Sequence, residues 1–137
     1  MAIADTRIEA ASADDLAPLF EWYQRDRMPG VIVAPDPMFL AARTKIVSRT
    51  ARGGLPAIYN LREFADIGGH LGYGPGIRDA YHREAPFADR TLECVNPGVR
   101  PDAQPTVLAP AIGVATATSL GITVPPSMMA LADRVAP

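Results

Sequence analysis

One cysteine, one tryptophan and two histidines are all that this 137-residue chain carries of the rarer side chains. The lone Cys94 cannot close an internal disulfide and has no second thiol for a cysteine-based metal motif. No apolar run approaches the ~20 residues that span a bilayer. Neither charge sign predominates: 13 basic against 15 acidic residues leave a formal charge of −2, and the basic ones are scattered. That balance lacks the footprint of a nucleic-acid binder or of a membrane-surface protein. Met1 to Glu9 bring acids early and no apolar segment, unlike a secretory signal. As written, the chain is expected to stay where it is made, in the cytoplasm.

Catalytic arrangements are missing as well. There is no Gly-x-Ser-x-Gly elbow, no phosphate loop and no paired-carboxylate signature. His70 and His82 have no matching Asp, Cys or Ser constellation and read as polar surface or helix residues. Gly72-Tyr-Gly-Pro-Gly76 follows too short a strand for a dinucleotide turn and lacks the third glycine at the right spacing. The expectation is a protein that is no enzyme and uses no cofactor or metal.

What the chain does have is an alternating order of elements. Its length fits one domain, and 48% apolar with 20% charged residues is ordinary globular composition. Thr6 to Ala10 reads as a short edge strand. Ser12-Ala-Asp-Asp15 reads as an N-cap with acids in the first turn, ahead of Leu16, Leu19, Phe20 and Tyr23 on one helical face. Trp22 is expected at a helix–sheet seam. After Pro29-Gly30, Val31 to Ala34 is a continuous apolar run, as in a strand covered on both faces. Met38 to Arg52 has helical spacing and stops at Gly53-Gly54. Leu55 to Tyr59 is a second buried strand, Asn60 a cap for the short helical segment after it, and Gly68-Gly69 its end. The alternation predicts an α/β fold, a parallel sheet with helices on both faces and right-handed crossovers.

The second half is proline-rich and predicts an irregular tail. Ile77 to Val95 has helical content broken at Pro86, and Asn96 to Pro105 is a connector. Thr106 to Val114 reads as an edge strand because it contains Pro110 and Gly113. Ser127 to Val135 closes the chain as a short helix behind Pro125-Pro126.

Several of these segments together resemble one family. They are Ser12-Ala-Asp-Asp-Leu16, Val31-Ile-Val-Ala-Pro-Asp-Pro37, Leu55-Pro-Ala-Ile-Tyr59, Arg62-Glu-Phe64, Gly68-Gly69, Gly72-Tyr-Gly-Pro75, Gln104-Pro-Thr106 and Leu120-Gly-Ile-Thr-Val-Pro-Pro-Ser127. In order and spacing the chain is similar to the C-terminal half of substrate-binding proteins of ABC importers, of the tryptophan/tyrosine-related type with the type I periplasmic binding protein fold. The resemblance implies two lobes closing on a small solute, a permease partner and a periplasmic location. It implies that residues 1–76 are an incomplete lobe, and that 77–137 hold a helix, a connector and tail segments that cross to the other lobe.

Strand ends in an open α/β sheet present side chains to ligands, which marks the candidate site. Asp36 either hydrogen-bonds a solute, as the resemblance implies, or caps the next helix. Tyr59, Asn60, Arg62 and Glu63 either face the crevice, where a carboxylate and a guanidinium would grip an amino-acid-like solute, or serve as core aromatic and solvated first-turn residues. Tyr73 either stacks on the solute or lines the hinge, or is a strand-end aromatic. The first expectation is therefore a partial solute-binding component without catalysis. The alternative is a self-associating or regulatory module, forming a homo-oligomer through exposed apolar surface, or a truncated fragment without function of its own.

Overall fold

Two apolar runs of three residues seed the sheet. The computed structural model describes residues 6–75 and 109–136, together with 77, 81, 82, 85, 86 and 89. In it Val31–Val33 (β1) and Ala57–Tyr59 (β2) lie parallel, with Ile32 beside Ile58 and Val33 beside Tyr59. Leu71–Gly74 (β3) continues the parallel set, Gly72 standing beside Tyr59. Ala109–Gly113 (β4) then runs antiparallel to β3, and Arg134–Ala136 (β5) parallel to β4. The sheet order is β1-β2-β3-β4-β5, so position in the sheet follows position in the chain. The fold is α/β, with a mostly parallel five-stranded sheet.

Helix α1 spans Leu16–Arg25 and buries Leu16, Phe20 and Tyr23, the face its spacing predicts. Trp22 packs partly buried against the core, edge-on to Tyr23 at 5.3 Å. The start of α1 differs from expectation. Asp15, not Ser12, is the N-cap residue, and its carboxylate turns back to accept the Ala11 and Ser12 N–H groups and the Ser12 hydroxyl. The predicted helix over 38–52 is two helices, α2 (Pro37–Ala41) and α3 (Arg43–Arg52). Between them Ala42 takes ψ of 8°, outside the helical well, although its N–H still reaches Met38 O. Thr6 to Ala10 pairs with no strand among the described residues; Ile8 and Ala10 instead lie against the core.

One correction concerns the sheet's two faces. Val33 and Tyr59 are buried under the helices, but Ile32 is 77% and Ile58 39% exposed. The apolar run of β1 is therefore covered on one face only. The reason is topological: β1, β2 and β3 step in one direction, and right-handed crossovers stepping one way keep their helices on one face. The β4–β5 pair runs the opposite way, so its crossover, α4 (Val114–Ser119) and α5 (Pro126–Leu131), belongs to the other face. Ile112, on that face of β4, is 1% exposed. Helices thus occupy both faces of the sheet, but not behind the same strands.

The tail departs further from expectation. β4 is an inner strand rather than an edge. Pro110 is tolerated because the β4–β5 register begins only at Ala111, and its carbonyl accepts the Asp133 N–H. By alternation from Gly113, whose N–H reaches His70 O on the β3 side, the absent Pro110 donor falls on the β5 side, before that register starts. The closing helix begins with Pro125 as N-cap and Pro126 in its first turn, and it ends at Leu131. Arg134 and Val135, expected as its last residues, belong with Ala136 to strand β5. The two stretches of chain, 1–76 and 77–137, thus share one sheet. Ile77, Tyr81, His82, Ala85, Pro86 and Asp89 are helical; the rest of the helix expected over 77–95 and the connector 96–105 lie outside the described residues.

Candidate functional site

The three parallel strands end together. In register, Val33, Tyr59 and Gly72 form one rung, so the chain beyond it carries Asp36 from β1, Asn60 to Glu63 from β2, and Tyr73 to Pro75 from β3 to one end of the sheet. Because β4 and β5 run the other way, their first residues, with Asp133, come to this same end. It is also the boundary, between β3 and β4, at which the helical layer changes face.

The crossover from β2 to β3 builds most of this end. It is a 3-10 helix, Arg62–Ile67, which buries Phe64 and Ala65. Asn60 does not cap it: the N-cap position is Leu61, in extended conformation, with no side-chain hydrogen bond. Its end is as predicted. Gly68 takes φ of +96°, where a side chain would be strained, while Gly68 N–H reaches Ala65 O and Gly69 N–H reaches Phe64 O. The crossover then lies directly on β3. A Cβ on Gly72 would stand 2.7 Å from Arg62 Cα, and one on Gly74 would overlap Asn60 O.

Each predicted site residue can now be placed. Asp36 accepts the Met38 N–H at 2.7 Å and caps α2. Tyr59 is fully buried, stacked on Phe64 with centroids 4.6 Å apart, and its hydroxyl lies 2.8 Å from Thr50 Oγ1. The Thr50 proton is used on Val47 O, so Tyr59 is the donor of that pair. Burial raises the Tyr59 phenol above its ordinary 10.0. Tyr59 is therefore a core residue and lines no cleft, as its hydroxyl turns inward to the α3 helix.

Arg62 pairs with Asp133 at 3.1 Å, and one turn on Asp66 pairs with Arg134 at 2.7 Å. The 3-10 helix and the start of β5 are thus joined by two ion pairs of opposite polarity. Glu63 accepts the Ile77 N–H through Oε1 at 2.8 Å, fixing the chain where it leaves β3. Its Oε2 is buried with no partner among the described residues. Tyr73 is 52% exposed, on the face of the sheet opposite Tyr59. Asp36, Asn60, Arg62, Glu63 and Tyr73 therefore share one end of the sheet, and Tyr59 stays beneath it.

Asp133 was not anticipated. The only sequence signal was the opposite-charge pair Asp133-Arg134 in a stretch whose spacing reads as helix. His70 stands at the other end of β3. Its Nδ1 is buried without a partner among the described residues, and desolvation holds the imidazole below its ordinary 6.5.

No family model matches this sequence, and no curated protein does. Solved structures do. A conserved domain protein from Vibrio cholerae O1 biovar El Tor superposes with a TM-score of 0.81 at 17% identity, covering 92% of this chain and 42% of that one. An ABC domain from Streptococcus pneumonia, solved in complex with L-Trp, superposes at 0.82 and 18% identity, covering 92% and 43%. The chain spans less than half the length of either. What it shares with them is the fold, a mostly parallel α/β sheet with helices.

Proposed function

We propose that this chain is a solute-binding domain that holds a small amino-acid-like molecule without catalysis, as one wall of a cleft and as part of an importer's binding component. The observation that carries the reading is the placement of Asp36, Asn60 and Glu63 at the C-terminal ends of adjacent parallel strands, where open α/β sheets bind ligands. Glu63 holds a buried carboxylate oxygen without a donor among the described residues, and a solute ammonium group reaching it would complete it. Tyr73, exposed at the same end, offers an aromatic face. The fold likeness to a domain that holds L-Trp supports an aromatic amino acid as the first solute to try.

One wall supplies only part of a ligand's contacts, so affinity should be weak, on the order of millimolar. Isothermal titration of the chain with L-Trp and L-Tyr tests this. Weak saturable binding that Glu63→Gln reduces about tenfold, one lost charge-assisted contact, is the expected result. Sub-micromolar binding would show that the chain forms a whole pocket. Binding unchanged in Glu63→Gln, or none at all, would remove the site.

A further inference from the structure

Glu63 is fixed at its root and lightly held at its tip. Its neighbours anchor the backbone. Arg62 is paired with Asp133 and lies against β3 at Gly72, and Phe64 is fully buried on Tyr59. The carboxylate itself has one contact among the described residues, the Ile77 N–H at 2.8 Å. That donor lies 14 residues further along the chain, past the end of β3, and it occupies only Oε1. Oε2 is buried with no partner among the described residues. A carboxylate oxygen buried bare is costly, and turning the side chain out to water would relieve it. The bond to Ile77 is what opposes that turn.

On the solute-binding reading above, we propose that Ile77 belongs to the site: its N–H positions the Glu63 carboxylate so that Oε2 stays where a solute ammonium group is received. Released from Ile77, Glu63 would sample other rotamers, and apparent affinity would fall with the fraction left in the productive one. Linkage makes the effect reciprocal. A solute that binds only the held conformer favours it, and so keeps Ile77 tied to Glu63. Ile77 follows the stretch Tyr73 to Pro75, where the chain leaves the sheet. Occupancy of the strand ends is thereby passed to the outgoing chain through one side chain.

Isothermal titration with L-Trp and amide exchange followed by NMR test this. Ile77→Pro removes the donor and should weaken L-Trp binding severalfold, by no more than Glu63→Gln does. Ile77→Ala keeps the donor and should bind like the parent. Because both residues act through one contact, the double variant Glu63→Gln with Ile77→Pro should lose no more than Glu63→Gln alone. Without solute, the Ile77 amide should exchange faster in Glu63→Ala than in the parent. In the parent, L-Trp at about ten times its Kd should slow that exchange roughly tenfold, by depleting the released conformer. Parent-like binding in Ile77→Pro, multiplied losses in the double variant, exchange no faster in Glu63→Ala, or exchange indifferent to L-Trp would each overturn the proposal. If Glu63→Gln still weakens binding in that case, the solute site stands and only the role of Ile77 falls. A parent that binds no L-Trp removes both. Should Ile77→Pro lose the parent's circular dichroism, the two exchange measurements decide alone.

Discussion

At the scale of single residues, the Tyr59–Thr50 pair shows how burial decides what a polar group can do. Tyr59 donates to Thr50 Oγ1, and Thr50 donates to Val47 O. Removing the two ends of this chain should have unequal effects. Tyr59→Phe loses one neutral hydrogen bond and should cost about 1 kcal/mol. Thr50→Val leaves the phenol hydroxyl buried with no acceptor and should cost more, about 2–3 kcal/mol. Urea unfolding of the two variants checks the order, and equal losses would refute the assignment of donor and acceptor. The buried aromatic itself was legible in the sequence as the last residue of an apolar run. Its partner was not, because only the fold brings α3 beside β2. Asp36 was legible in both of its readings, since a short acid between two prolines suits a cap as well as a ligand contact.

Among the elements, those with a strong local pattern were read correctly and those defined by distant partners were not. Leu16, Phe20 and Tyr23 announce α1 by spacing alone. By contrast, Arg134 to Ala136 has no strand signal of its own and becomes β5 because Ala111 to Gly113 stands beside it. Helix α4, rich in Thr and Ala, likewise went unread; its Thr116 hydroxyl is held by Gly68 O at 2.7 Å. The polar end of the sheet could be placed from the strand order, but the ion pairs from Arg62 and Asp66 to the β5 start could not, their partners lying about half the chain away. The fit of the crossover on β3 gives a test at this scale. Gly74→Ala would drive a methyl into the Asn60 carbonyl, which cannot move without unseating β2. The expected loss is roughly 3 kcal/mol, the upper end for overpacking, read as a fall in the thermal midpoint. A variant as stable as the parent would mean that the crossover is not seated on the strand.

For the molecule as a whole, stability should be limited on both sides by titratable groups whose folded state shifts them. His70 is held below 6.5 by desolvation, so the unfolded chain binds its proton better. Its share of stability is complete above about 6.5 and is lost as the pH falls below that, through the lower folded value. Asp15, lowered from 3.8 chiefly by the Ser12 backbone and hydroxyl bonds, adds a second loss at more acid pH. Tyr59 acts in the other direction: its raised phenol stabilises the fold fully below 10.0, and that share is lost as the pH rises above 10.0 through the higher folded value. Thermal melts across pH should trace a plateau with two falling limbs, the upper limb absent in Tyr59→Phe and the step near 6.5 absent in His70→Gln. A His70→Gln profile that matches the parent's would mean that the imidazole is solvated. A last consequence follows from the agreement of sheet order with chain order. Among the described residues each strand after β1 pairs with the one made just before it, so this part of the sheet can lengthen one strand at a time as the polypeptide leaves the ribosome, with none of these strands held open for a later one.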